Sequence, residues 1–348
     1  MIFSNLVIGL SVVAATPSDI NDTCTGGSDA ESHHVHKQYD KRGNSVSGKC
    51  SFPHYEGMVA VQESGANGGW AMHYDQPCSP GQWCPYACEP GQLMAQWDPE
   101  VTSYTYPGSQ YGGLYCQEDG TLRTPFPDKG YCYAGKGTVV AANGCKSGGG
   151  VAFCQTVLPG NEEMLIPTVV SQQEEATLAV PGPEYWAGTA AHYYVNAPGV
   201  SAADACRWGD SSHACGNWAP YVAGANMDAA GNTFVKIGWN PVYLEESCPF
   251  RDVKPAFGVR IVCDSPGDCE GLPCAIDPGV CGVNELSSGP GTSGAGGGAF
   301  CVVTAKNHAK ARIEVFDTAG DSSAKAKRQL QQPATTTVTE FVTVTLKS

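Results

Sequence analysis

The chain has 348 residues, with 34 acidic and 20 basic side chains and a formal net charge of −14. This charge repels phosphate backbones and anionic lipid headgroups, so we expect neither nucleic acid nor a membrane surface as the partner. The 43 Gly and 24 Pro residues predict many turns and few long helices, and the 17 Cys residues predict an oxidising compartment and a fold cross-linked by disulfides.

The N-terminal residues predict secretion. Residues 1–15 hold an apolar run of signal-peptide length, with the small residues Val13 and Ala15 in the positions that signal peptidase reads. Residues 16–42 are polar and end in the dibasic pair Lys41-Arg42, which predicts a pro-segment cleaved after Arg42. A linker that is never cut is the alternative.

Cysteine parity supports the pro-segment. Its removal takes away Cys24 and leaves 16 cysteines from Cys50 to Cys301, an even number that predicts eight disulfides. A second dibasic pair, Lys327-Arg328, lies in a Thr-rich tail at 321–348, which we expect to be extended and not part of the core. The folded domain is therefore expected at 43–320.

Within that domain the apolar runs are short, β-branched and bounded by turn residues, which is typical of strands. One marginal helix is predicted after Ser171, where Ser171 and Glu174 fit a capping box. The pattern predicts an all-β fold, a disulfide-rich β-sandwich with long Gly/Pro-rich loops, for which a thaumatin-like sandwich is one model. The predicted strands are 138–142, 232–239, 258–263, 300–305 and 311–317.

Two motifs that suggest a cofactor have a simpler interpretation. The glycines at 294–299 match a dinucleotide-binding pattern, but a strand follows where that site needs a helix N-terminus, so 287–299 is interpreted as a flexible loop. The spacing of Cys263, Cys269, Cys274 and Cys281 favours disulfides over zinc. We expect no metal and no cofactor. His192 could orient a ligand or be a hydrogen-bonded structural histidine.

Seven Trp residues, often beside Asn, Asp or Tyr, suggest a sugar-binding groove, since pyranose rings pack their C–H faces on indoles. The alternative is that most of these indoles are buried in the core.

The cysteine pattern Cys78-x5-Cys84-x3-Cys88, followed by Cys116, resembles the signature of the fungal SUN family of secreted cell-wall β-glucosidases, although the last gap is a few residues longer. Five further segments are similar to that family, at 160–170, 185–201, 216–245, 271–278 and 295–304. The resemblance implies a monomeric glycoside hydrolase of the cell wall that acts on β-1,3-glucan in wall remodelling, septation and cell separation.

Such hydrolysis needs one carboxylic acid and one carboxylate. From the family-like segments we select Asp228, Glu245 and Asp277 as candidate catalytic groups, with Trp218 and Trp239 as sugar-stacking platforms. Each carboxylate could instead cap a turn. The alternative function is a non-catalytic glucan-binding wall protein or adhesin that uses the same aromatic groove.

Overall fold

The computed structural model describes residues 48–103, 110–156, 159–160, 165–208 and 213–318. The predicted signal peptide, pro-segment and C-terminal tail lie outside these residues. Within them, no helix has the length and apolar character needed to cross a membrane.

The described residues form mostly strands. The two α-helices have four residues each, α1 (Ala202–Ala205) and α2 (Pro241–Leu244), as the Gly and Pro content predicts. Single 3-10 turns lie at Trp186–Gly188, Gly216–Trp218, Pro266–Asp268 and Ala295–Gly297. The strands are β1 (Met58–Val59), β2 (Trp83–Cys84), β3 (Ala87–Cys88), β4 (Gln92–Met94), β5 (Leu114–Cys116), β6 (Leu122–Arg123), β7 (Cys132–Ala134), β8 (Val139–Asn143), β9 (Val151–Thr156), β10 (Leu165–Val170), β11 (Glu175–Thr177), β12 (Ala191–Val195), β13 (Tyr221–Met227), β14 (Thr233–Trp239), β15 (Phe257–Cys263), β16 (Cys269–Glu270), β17 (Cys274–Ile276), β18 (Thr292–Ser293), β19 (Ala299–Ala305) and β20 (Ala311–Asp317).

Two sheets pack face to face. The large sheet has the strand order β10-β9-β12-β13-β14-β19-β16, with β18 paired to β19, and the small sheet has the order β11-β8-β20-β15-β17. Every pair within them is antiparallel except β8 with β20, which is parallel. The main apolar core lies between the sheets. The prediction of an all-β, disulfide-rich sandwich is confirmed, and all five predicted strands are present.

Strand β14 shows how the sequence specifies the sandwich. Val235, Ile237 and Trp239 are at most 2% exposed and face the core. Because side chains alternate along a strand, Phe234, Lys236 and Gly238 lie on the opposite, outer face of the large sheet. The same alternation holds in β12 and β13, so one face of this sheet is covered by the small sheet and the other face is not.

The N-terminal part of the domain has its own apolar cluster, which includes Phe52, Trp70, Met72 and Tyr86. Its strands have two or three residues each, so they bury little surface by themselves. Disulfides compensate for this by restricting the unfolded chain. The three bridges in this part are Cys50–Cys116, Cys78–Cys84 and Cys88–Cys132.

The sandwich carries three more bridges, so the prediction of eight disulfides is wrong. They are Cys154–Cys206, Cys263–Cys269 and Cys274–Cys301, and the six bridges of the described residues leave out four buried cysteines. A buried cysteine can pack as a small apolar side chain with a weak donor, and Cys281 donates its thiol to the Asp277 carbonyl oxygen at 3.0 Å. An even number of cysteines therefore does not require that all of them form disulfides. The four are Cys145, Cys215, Cys248 and Cys281.

The predicted helix after Ser171 is absent, because the segment forms the turn that leads from β10 in the large sheet to β11 in the small sheet. Gln173 has a φ of 61°, outside the right-handed helical region. Its backbone N–H donates to the Asn143 carbonyl oxygen and its side-chain amide donates to the Cys145 carbonyl oxygen, both at 2.8 Å. These contacts with β8 and the residues after it outweigh a weak local helix preference.

The glycine-rich segment at 294–299 forms a 3-10 turn between β18 and β19. Strand β19 starts at Ala299, as expected, so the helix N-terminus that a dinucleotide site needs does not follow this turn.

Candidate functional site

Aromatic side chains close one end of the sandwich, where β13 begins and β14 ends; we call this the aromatic end. Tyr221 and Trp239 are direct partners in the sheet, and their ring centroids are 5.1 Å apart. The Tyr221 hydroxyl donates to the Phe257 carbonyl oxygen at 3.0 Å, which ties the large sheet to the small one. Tyr243 packs next to Trp239, with 6.1 Å between the ring centroids. The cluster is buried, so it forms a rigid base for the residues around it.

Asn240 positions α2 at the aromatic end. Its Oδ1 accepts from the Val242 backbone N–H at 3.1 Å, which caps the helix, and Pro241 follows at the first helical position. Its amide nitrogen donates to the carbonyl oxygens of Asn217 and Ala219 at 2.8 and 2.7 Å. Asn240 therefore fixes α2 against the 3-10 turn that precedes β13.

Glu245 is the residue that ends α2. Its side chain is half-buried, and its Oε2 accepts a 3.4 Å hydrogen bond from the Ser247 hydroxyl. The position of Glu245 is set by the capped helix before it, so this carboxylate lies at the aromatic end.

Asp277 lies at the same end, directly after β17. Its Oδ1 accepts from the Gly279 backbone N–H at 2.9 Å, and its carbonyl oxygen accepts from the N–H of Cys281 at 3.0 Å. Burial raises the pKa of Tyr221 well above its ordinary value, and the charge of Asp277 adds to that shift. Asp277 is therefore electrostatically coupled to the aromatic cluster that α2 and Glu245 border.

The two tryptophans have different environments. Trp239 is 2% exposed, packs in the core and has no free face for a sugar ring. Trp218 is half-buried in the 3-10 turn that Asn240 holds against α2, so part of its indole is accessible at the aromatic end. The sequence did not distinguish these environments, although Trp239 belongs to the core-facing alternation of β14.

Asp228 lies at the other end of the sandwich, in the hairpin turn between β13 and β14. Its Oδ1 accepts from the backbone N–H groups of Ala230 and Asn232 at 2.9 and 2.8 Å, and its Oδ2 accepts from the Asn232 amide at 3.0 Å. Seven residues of β13 separate it from the aromatic end, about 20 Å along a strand. The structure brings Glu245 and Asp277 to one end and places Asp228 far from both.

Hydrogen bonds set the ionisation of Asp228. Burial would raise its pKa, but hydrogen bonds from the Asn232 side chain and from nearby backbone N–H groups outweigh burial and lower the pKa below its ordinary value. This carboxylate is therefore used in capping the turn.

His192 lies on the outer face of the large sheet, at the level of Lys236. Lys236 is only 7% exposed, and sequence reasoning did not select it as a functional residue. A cation between the core residues Val235 and Ile237 was the signal that could have found it, because alternation places that cation on the outer face.

Sulfur atoms of Cys50, Cys78 and Cys116 lie within 4.8 Å of one another, close enough in principle for a metal. All three cysteines are in disulfides, and zinc needs thiolate sulfur. This group is therefore not a metal site in the oxidised protein.

The family model described as "Beta-glucosidase (SUN family)" matches residues 45–303, well over half of the chain. The chain belongs to the SUN family. The matched region covers both sheets except β20 and the last two residues of β19, and includes Glu245, Asp277 and the outer-face residues His192 and Lys236. The family resemblance inferred from the cysteine pattern is confirmed.

Three relatives place this SUN protein among fungal sequences. It is 61% identical to the uncharacterized protein YMR244W of Saccharomyces cerevisiae, over 100% of this chain and 97% of that protein. It is 55% identical to the probable secreted beta-glucosidase adg3 of Schizosaccharomyces pombe, over 77% of this chain but 23% of adg3. It is 35% identical to the beta-glucosidase-like protein NCA3, mitochondrial, of S. cerevisiae, over 66% of this chain and 67% of that protein. No solved structure matches the chain.

Proposed function

We propose that this SUN protein is a secreted glycoside hydrolase of the fungal cell wall that cleaves β-1,3-glucan during wall remodelling, septation and cell separation. The family match over residues 45–303 carries the proposal, because the family model is described as a β-glucosidase. The six disulfides support an oxidising compartment.

Glu245 and Asp277 are the proposed catalytic pair. A glycosidase needs one protonated carboxylic acid at the leaving oxygen and one carboxylate as nucleophile or base. The two side chains lie at the same end of the sandwich, both half-buried, on segments fixed by hydrogen bonds. Trp218 is proposed as the sugar platform beside them. Asp228 stays a prediction outside this proposed pair, because it lies in the turn at the other end of β13, and we use it as the comparison carboxylate.

The test is incubation of the purified, processed protein with laminarin, followed by detection of glucose or oligosaccharide. Glu245→Gln and Asp277→Asn should each lower turnover by about 100-fold or more, since each removes a charge or proton with little change in shape. Asp228→Asn should retain turnover in folded protein. Full activity of Glu245→Gln and Asp277→Asn would exclude this pair.

The alternative function is a glucan-binding wall protein without turnover. Polar side chains without a hydrogen bond or ion pair among the described residues lie on the outer face of the large sheet, at His192, Asn226 and Lys236. They favour this alternative, since a binding protein needs such groups and no catalytic carboxylates. Wild-type protein that retains laminarin but releases no product would support the alternative and contradict the hydrolase.

Localisation needs its own experiment, because adg3 is named as secreted and NCA3 as mitochondrial. Immunodetection of the protein in the cell-wall and culture fractions is expected. Recovery in the mitochondrial fraction alone would contradict the proposal.

A further inference from the structure

Three polar side chains meet on the outer face of the large sheet, on three neighbouring strands. His192 in β12 is opposite Gly224 in β13, and Gly224 is opposite Lys236 in β14. Asn226 lies on the same face as Gly224, two residues along β13. We call His192, Asn226 and Lys236 the outer-face cluster.

None of the three side chains makes a hydrogen bond or an ion pair within the described part of the chain. Lys236 is 7% exposed, and His192 and Asn226 are half-buried. A mostly buried polar group without a partner is costly, and in native proteins it usually has one. The polar atoms of the cluster are not sealed from solvent, unlike Oδ1 of Asn67 in the N-terminal part. A ligand from solution can therefore reach them.

Two glycines shape the surface between these side chains. Gly224 has no side chain, so no side chain of β13 lies between His192 and Lys236, which are two strand spacings or about 10 Å apart. A Cβ at Gly238 would lie 2.6 Å from the Cβ of Phe300, so glycine lets Phe300 sit across β14. The Lys236 Nζ lies 3.9 Å from the centroid of that ring. The result is a shallow surface with an aromatic ring on one side.

The ionisation of the cluster favours neutral hydroxyl groups as partners. Burial and, to a smaller extent, the charge of Lys236 together lower the pKa of His192 to about 4, so the imidazole is neutral at pH 5 to 7. A neutral imidazole and an amide each offer both a donor and an acceptor, which is what hydroxyl groups need. Burial lowers the pKa of Lys236 to about 8, so the ammonium stays a donor in that range.

An anionic ligand fits less well. The cluster has one cation and no guanidinium for a bidentate carboxylate contact, and the whole chain carries a net charge of −14 that repels anions. Aromatic surface beside a few mixed donors and acceptors is the pattern of a sugar site.

We propose that the outer-face cluster binds a glucose unit of a β-glucan chain, with Lys236 and Asn226 donating to sugar hydroxyl groups and His192 accepting from one. The choice of a glucan rests on the proposed function, but the site is one of binding and contains none of the proposed catalytic residues. Lys236 is about 10 Å from Trp239 along β14, so one chain can extend from this site toward the aromatic end.

The test is calorimetric titration of the secreted protein with laminaritriose. Lys236→Met should weaken binding by about tenfold or more, since hydrogen bonds from charged groups are among the stronger ones. Asn226→Ala should weaken it by a smaller factor. The matched control is Lys310→Met, an exposed lysine at the other end of the molecule, which should bind like the wild type. The melting temperature of Lys236→Met should not fall, because the variant removes a buried charge that has a cation–π contact with Phe300 but no ion pair or hydrogen bond.

Several results would overturn the proposal. Failure of the wild type to bind laminaritriose would be decisive, and so would full affinity in folded Lys236→Met. Binding of laminaritrionic acid but not laminaritriose would assign an anion site instead. If Lys236→Met does not fold, Asn226→Ala and amide NMR shifts of His192 and Asn226 in the wild type give the answer.

The same titration separates this inference from the hydrolase. A wild type that binds through Lys236 but releases no sugar from laminarin would contradict the hydrolase and leave the binding site standing. A wild type that cleaves laminarin while Lys236→Met binds normally would contradict only the binding site.

Discussion

The indole N–H of Trp239 donates a 2.9 Å hydrogen bond to the backbone carbonyl oxygen of Glu285. This contact joins the end of β14 to the segment after β17, so an indole expected to bind sugar instead holds two parts of the aromatic end together.

Replacing Trp239 should therefore affect stability. Trp239→Ala should cost about 3 to 5 kcal/mol in the free energy of unfolding, because a large buried side chain leaves a cavity. Trp239→Phe keeps an aromatic ring but removes the indole donor to the Glu285 carbonyl, which keeps only the 3.6 Å contact from the Cys281 thiol, at a cost of about 1 to 3 kcal/mol. Guanidinium unfolding curves measure both. Trp218→Ala is the control, and a loss as large as that of Trp239→Ala would contradict the half-buried position of Trp218.

Asp228→Asn should lower stability in a pH-dependent manner. The folded pKa of Asp228 is below its ordinary value of 3.8, so its charged form stabilises the fold above that pH. The contribution is lost as the pH falls through the lower, folded pKa. We expect a deficit of about 1 kcal/mol at pH 6 that shrinks toward pH 3, measured by thermal melts of both proteins. A deficit independent of pH would show that the carboxylate charge is not what stabilises the turn.

Lys236→Met should stabilise the protein near neutral pH. The pKa of Lys236 is 10.5 when unfolded and about 8 when folded, so below pH 8 folding buries a charge that water solvates better. Between pH 8 and 10.5 the unfolded chain holds a proton that the folded protein has lost. The free energy of unfolding of the wild type therefore rises with pH in this range and approaches that of the variant. We expect an advantage for the variant of about 2 to 3 kcal/mol at pH 7 that fades by pH 10.5.

The buried tyrosines titrate in both the wild type and Lys236→Met. Their contribution therefore cancels when the free energies of unfolding of the two proteins are subtracted. Lys310→Met should show no such pH dependence. An advantage that is constant with pH would mean that packing, and not charge, causes it.

Thiol counting should find reactive cysteines only after unfolding. Burial raises the pKa of the Cys145 thiol to about 12, with Asp317 adding to the shift, so little thiolate forms at pH 8. We expect alkylation of Cys145, Cys248 and Cys281 in guanidinium without reductant and almost none in native protein. Peptide mass spectrometry identifies the sites. Fewer than two alkylated sites after unfolding would restore the earlier prediction of complete pairing.

The strands of the sandwich were predictable because their signal is local. In β14 and β20, buried apolar residues occupy every second position, with Lys236 between Val235 and Ile237 and with Glu314 between Ile313 and Val315, which is enough to specify a strand with one buried face. The two- and three-residue strands near the N-terminus carry no such pattern. Their pairing depends on disulfides such as Cys50–Cys116, which join residues 66 positions apart.

The candidate site was less predictable for the same reason. Asp228 and Glu245 are close in sequence, but β14 runs between them and takes them to opposite ends. The burial of Lys236 could not be predicted from the sequence of β14 alone, because it depends on the neighbouring strands β13 and β19. The residue types of a sugar site were predictable, and their grouping was not.

The parallel pair of β8 and β20 determines when the domain can finish folding. Strand β20 lies in the middle of the small sheet, between β8 and β15, and is the last described strand. During synthesis, about 170 further residues follow β8 before β20, its neighbour in the sheet, leaves the ribosome. Pairings between strands so far apart in sequence form slowly. The small sheet is therefore completed only after β20 has been made, and until then β8 and β15 lack the strand that joins them.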